Sequence, residues 1–83
     1  MTVLYFAWVR QKIGKSEETL QLPEGISTIA ALVDHLRTLG SGYADAFADF
    51  KRLRAAANQV HAGFDATITD TDEIAFFPPV TGG

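Results

Sequence analysis

An α+β fold, one mixed sheet with a single main helix packed across it, is what the order of elements in this sequence predicts. Three observations carry the prediction. Ile29 to Leu39 has the helical period, short runs rich in β-branched and aromatic residues stand on either side of it, and the first and last of those runs are apolar at both parities. With 83 residues the chain is one domain, so two-domain enzymes and interdomain clefts are excluded. Residues 1–77 are expected to fold as that domain and 78–83 to form an extended tail.

Val3 to Phe6 reads as the opening strand, and Ala7 to Ile13 either continues it or makes a short helical turn. Gly14-Lys15-Ser16 is a turn. Glu17 to Leu22 alternates Thr19 and Gln21 against Leu20 and Leu22, the period of a half-buried strand, so the two runs form a hairpin that Pro23-Glu24-Gly25 terminates. Ser27 or Thr28 caps the helix, whose stripe is Ile29, Leu32, Val33, Leu36 and Leu39, with Gly40 following in a left-handed conformation. Between Ser41 and Leu53 the pattern is weak: Tyr43 to Phe47 is a second short helix or an irregular loop packed by Phe47 and Phe50. Arg54 to Asn58 and Val60 to Ala62 are short strands about Asn58-Gln59, since Asn tolerates positive φ. Thr69-Asp70-Thr71-Asp72 turns the chain after Ile68, and Glu73 to Phe77 is the last strand, stopped by Pro78-Pro79. Strands apolar on both faces belong at a sheet centre, and one helix covers only one face, which leaves the other for a protein partner.

Composition removes several functions. A net charge of −3 with 20% charged residues argues against a nucleic-acid or anionic-membrane surface. There is no cysteine, so no thiolate nucleophile, side-chain persulfide, iron–sulfur ligand or zinc-thiolate site exists in this chain, and the apolar 47% must supply the core alone. The apolar run near Met1 is too short to span a bilayer and lacks a basic leader or a cleavage signal, so a cytoplasmic protein is expected.

Few side chains form a chemical constellation. Asp70, Asp72 and Glu73 lack the calcium-loop pattern and read as a polar turn, and His35 and His61 lie 26 positions apart, so no metal site is assigned. Gly40-Ser41-Gly42 follows a helix, where phosphate cradles precede one, and no G-x-S-x-G elbow supports a catalytic triad. Lys51, Arg52 and Arg54 make a small basic cluster, a solvated surface or a contact for an acidic partner. Trp8 is either a core residue or an interface anchor.

The C-terminal segment is different. The last strand runs directly into Pro78-Pro79-Val80-Thr81-Gly82-Gly83. Two prolines stiffen the exit, and six residues give a reach of about 20 Å, enough for a terminal carboxylate to enter another protein's active site. Glycines pass a channel that excludes any Cβ, so the chemistry implied is carboxyl activation at Gly83.

Asp72-Glu73-Ile74-Ala75-Phe76-Phe77-Pro78-Pro79-Val80-Thr81-Gly82-Gly83 resembles the C-terminal signature of the small, sulfur-carrier subunits of molybdopterin synthase, within the MoaD/ThiS ubiquitin-like superfamily. Phe6-Ala7 with Arg10, the turn at Asn58-Gln59 and the overall length resemble that family too. The resemblance implies a β-grasp fold with the last strand beside the first. It implies that an ATP-dependent activating enzyme adenylates the Gly83 carboxylate, that a sulfur donor protein converts it to a thiocarboxylate, and that Gly82, Thr81 and Val80 thread into a large catalytic subunit. There the sulfur builds the dithiolene of molybdopterin. Phe76, Phe77, Pro78 and Pro79 would form the interface, in a heterotetramer of two small and two large subunits. No cofactor is expected to stay bound, and ATP enters only as the transient acyl-adenylate. The same Gly-Gly end would also suit a ubiquitin-like modifier joined to lysine, a thiazole-pathway sulfur carrier, or a plain interaction module with an incidental tail.

Overall fold

The computed structural model describes residues 1–79. Its strands are β1 (Thr2–Tyr5), β2 (Glu17–Thr19), β3 (Arg54–Ala57), β4 (Val60–Ala62) and β5 (Glu73–Phe77); its α-helices are α1 (Ala7–Ile13), α2 (Ile29–Leu36) and α3 (Ser41–Ala46), followed by a 3₁₀ turn at Phe50–Arg52. The strands lie in the order β2-β1-β5-β3-β4. β1 and β5 are parallel and the remaining pairs antiparallel, the mixed α+β sheet expected from the sequence and the β-grasp order implied by the resemblance. The two strands apolar at both parities are neighbours, with β5 in the middle.

One face of the sheet makes the core. Val3 and Tyr5 of β1, Ile74 and Phe76 of β5, and Ala55 of β3 pack against Ile29, Leu32, Val33 and Leu36 of α2. These α2 positions are the stripe the sequence predicts, and the Thr28 hydroxyl accepts from the Ala31 amide at 3.2 Å to start the helix. Its end differs from expectation. Thr38 and Leu39 donate their amides to His35 and Leu36, three residues back, so the last turn tightens and rotates Leu39 out to 46% exposure. Gly40 is not the left-handed C-terminal residue expected: at φ 163° it is extended and precedes α3, where its carbonyl accepts from Ala44.

The two ambiguous stretches are both helical. Ala7 to Ile13 is α1, closed by Gly14 at φ 89° with its amide on the Arg10 carbonyl, so β1 and β2 pair as a hairpin with a helix inserted between them. α3 lies against α1, and a Cβ on Gly42 would collide with the Lys12 carbonyl oxygen, so the second glycine of Gly40-Ser41-Gly42 permits this close packing. β2 stops at Thr19, earlier than Leu22, while Leu20 and Leu22 still pack on the core. Asn58 and Gln59 at φ 52° and 71° make the tight turn between β3 and β4. The Asn58 side chain also donates to Asp72 and accepts from the Glu73 amide, both at 3.0 Å, locking that hairpin to the start of β5.

A polar knot closes the α3 end of the core. Glu18 Oε2 accepts from the hydroxyls of Tyr5 and Tyr43, both at 2.7 Å, while Lys15 Nζ lies 3.5 Å from Oε1. Burial works against ionisation of Glu18, yet the Tyr43 and Tyr5 hydroxyls and the Lys15 ammonium outweigh it and hold the carboxyl below its ordinary 4.5. Burial, reinforced by Glu18, pushes the Tyr5 hydroxyl far above its usual range. A depressed carboxylate contributes stability that is complete above the ordinary value and is lost as pH falls through the folded one. Replacing Glu18 by Gln is therefore expected to lower stability by about 1–2 kcal/mol near neutral pH, because two charge-assisted bonds become neutral ones. Urea melts of both proteins from pH 7 to 3 should converge as the pH drops; a constant gap would remove this account.

Candidate functional site

The site is the place where β5 leaves the sheet. Because β5 runs parallel to β1 and antiparallel to β3, its C-terminal end emerges between the end of β1 and the beginning of β3, with Tyr5 opposite Phe76 and Arg54 opposite Phe77. The Phe6 amide donates to the Phe76 carbonyl at 3.1 Å, extending the parallel pairing one residue past β1. Ala7 then turns the chain abruptly at φ 55° into α1.

Strand alternation decides what each residue at this rim does. Phe76 points into the core, is 0% exposed and meets Phe47 edge-on with ring centroids 5.0 Å apart. It is thus a core residue, and the expectation that it lies in a partner interface is corrected. Phe77 points to the other side, half-buried, and meets the exposed His61 ring edge-on at 5.3 Å. The same side of the sheet carries Leu4, Ala75, Ala56 and His61 as direct register partners across four strands. Phe6, extended at φ −123° and 46% exposed, continues the Leu4 parity beside Phe77. This helix-free face is apolar through its middle and bordered by Glu17, Thr19 and Arg54, all exposed.

Pro78 and Pro79 are half-buried and, with Trp8 and Arg52, line a cleft of about 280 Å³. A second cleft of about 350 Å³ continues from Trp8 and Arg52 between α1 and α3, past Lys12, Asp45 and Asp49. Of the basic cluster, Arg52 faces these clefts, while Arg54 Nη1 donates to the Leu53 carbonyl at 3.1 Å and braces the corner before β3. The four remaining tail residues expected to carry function, Val80, Thr81, Gly82 and Gly83, lie outside the described residues.

The acidic turn is structural: Asp70 Oδ1 accepts from the Leu22 amide at 2.6 Å and Asp72 Oδ2 from the Thr69 amide at 2.8 Å. Among the described residues no group of three or more His, Cys, Asp or Glu side chains is placed to hold a metal, and no helix is long and apolar enough to cross a membrane. Phe6, Leu4 and His61 were not singled out as contact residues by the sequence reading. The period of two through Leu4 and Phe6 is the signal that marks the first two.

Residues 3–83 match the model of the ThiS family. The chain is 43% identical over 81 residues to the molybdopterin synthase sulfur carrier subunit of Escherichia coli strain K12, covering 98% of this chain and 96% of that protein. It is 40% identical to the protein of the same description from Haemophilus influenzae, covering 100% and 99%. The backbone is also similar to the crystal structure of the small archaeal modifier protein 1 of H. volcanii, with a TM-score of 0.73 at 21% identity over 96% of this chain and 97% of that one.

Proposed function

The chain belongs to the ThiS family, and from that premise we propose that it is the sulfur carrier subunit of a molybdopterin synthase, acting in molybdenum cofactor biosynthesis as the non-catalytic partner of a large subunit. The observation that supports this most is the placement of β5. The central, best-held strand of the sheet delivers Pro78-Pro79 at the rim, so a rigid body presents whatever follows.

The reading assigns the chemistry to Gly83. A carboxylate is a poor acyl donor because the group leaving would be oxide. An activating enzyme removes that obstacle: a Gly83 carboxylate oxygen attacks the α-phosphorus of ATP, pyrophosphate leaves, and the acyl-adenylate carries AMP as a good leaving group. The outer sulfur of a donor protein's persulfide then attacks the acyl carbon and AMP leaves. A thiol next attacks the donor's inner sulfur, the S–S bond breaks, thiol and donor end as a disulfide, and Gly83 keeps the outer sulfur as a thiocarboxylate, soft and ionised at neutral pH. The large subunit takes Val80 to Gly83 into its active site, where each thiocarboxylate supplies one of the two sulfurs of the molybdopterin dithiolene built on a pyranopterin precursor, and water returns Gly83 to a carboxylate. In this reading the helix-free face around Phe77 and Phe6 docks on the large subunit, two copies of each chain assemble, and the work takes place in the cytoplasm. ATP is used by the activating partner and is not retained here.

Intact-mass measurement tests the reading. After incubation with an activating enzyme, ATP and a sulfur donor, the chain should gain the difference between one sulfur and one oxygen, located in the terminal peptide. Oxidation of Met1, nearly equal in mass, maps to the other end. Addition of the large subunit and the pyranopterin precursor should reverse the change. A terminal peptide found only as free carboxylate, or joined to a lysine, would overturn the assignment.

A further inference from the structure

A tail that must reach a partner's active site needs a fixed direction where it leaves the domain, and the structure holds that point from two sides. On one side stands Trp8, delivered by the Ala7 turn at φ 55°, a left-handed conformation unfavourable for a residue with a Cβ. This turn breaks β1 into α1 within a single residue and sets the indole beside the end of β5. On the other side stands Arg52, on the 3₁₀ turn that Arg54 ties down through the Leu53 carbonyl. Between them lie Pro78 and Pro79, and among the described residues these four line the 280 Å³ cleft.

Resting on the sulfur-carrier reading, we propose that Trp8 is a positioning residue for sulfur transfer, its indole serving as the wall that sets the exit angle of the tail at Pro78-Pro79. Proline already restricts the residue before it to extended conformations, so Phe77 and Pro78 leave little freedom along the chain. What the two rings do not fix is the swing of the whole segment against the body of the domain. A swing of about 20° at Pro79 displaces the far end of a four-residue reach of roughly 13 Å by about 4–5 Å, more than the tolerance for productive attack. Trp8 is packed on the core on its other side, so it acts as a fixed wall. It takes no part in bond making, and its effect passes entirely through the position of Gly83.

Trp8 is the chain's one tryptophan, so its fluorescence reports on the cleft it lines with Pro78 and Pro79 without interference from another indole. The experiment uses the full chain loaded as thiocarboxylate, with the large subunit in saturating excess in single-turnover sulfur transfer. The variant W8A should slow transfer about tenfold or more while its Kd for the large subunit stays within about twofold, and W8F should restore most of the rate. In the free chain, replacing Pro78 and Pro79 by Ala should shift the Trp8 emission to the red. Equal transfer rates in wild type and W8A, a loss in W8A accounted for by Kd or by melting temperature, or an emission spectrum indifferent to the prolines would each overturn the proposal. If the wild-type chain itself delivers no sulfur, the carrier reading falls and this role of Trp8 falls with it; a wild type that transfers normally separates the two failures.

Discussion

Deleting Gly82 and Gly83 should abolish sulfur transfer altogether while shifting the melting temperature by no more than about 2 °C. Among the described residues the core runs from Met1 to Phe76, and β5 ends at Phe77. Extending the chain by one residue beyond Gly83 should be just as damaging, because it moves the reactive carboxylate by about 3.3 Å and puts a different residue at the end. Thermal melts and thiocarboxylate formation measured on the same preparations check both halves. Near-normal transfer in either variant would show that the terminal carboxylate is not the working group. A large loss of stability would show that the tail is part of the fold.

The second large effect comes from two adjacent phenylalanines that face opposite ways. Phe76→Ala removes a fully buried ring from the central strand along with its edge-on contact to Phe47, and is expected to cost about 3–5 kcal/mol. A domain of this size has only about 4–12 kcal/mol in total, so the variant should be partly unfolded at modest temperature. Phe77→Asp leaves the core untouched and should keep the melting temperature within several degrees. On the proposal that this face docks on the large subunit, however, its carboxylate would have to be desolvated there, weakening association by about a hundredfold or more. Calorimetric melting and titration with the large subunit measure the two effects. If Phe76→Ala melts like wild type, or Phe77→Asp binds like wild type, the division of labour along β5 is wrong.

That division was the part of the site hidden in the sequence. Ile74-Ala75-Phe76-Phe77 is apolar at both parities, which reveals a central strand and conceals which residues face inward; only the register with β1 and β3 sorts Phe76 from Phe77. The strand itself, the Asn58-Gln59 turn and a cap at Ser27 or Thr28 were legible because local chemistry alone specifies them. Two features were not. Ala7 to Ile13 carries Val9 as its one buried residue, too little periodicity to choose between strand and helix, and its start depends on a strained Ala7 that no propensity favours. The end of α2 was misplaced because Leu39 continues the stripe in number while the tightened last turn carries it to the surface. The role proposed for Gly82 and Gly83 rests on carboxyl chemistry and on their lack of a side chain, not on the fold.

The strand that leads to the tail is also the one element joining the two halves of the sheet. Neither β1 nor β2 neighbours β3 or β4; both pairs meet only through β5. Thr2 pairs with Glu73, 71 positions along the chain, and bringing such distant ends together costs roughly 3–4 kcal/mol of closure entropy before any contact repays it. A chain whose sheet has failed to close has no rim at which β5 delivers Pro78-Pro79, so the place of the exit depends on the pairing of the strands most distant in sequence.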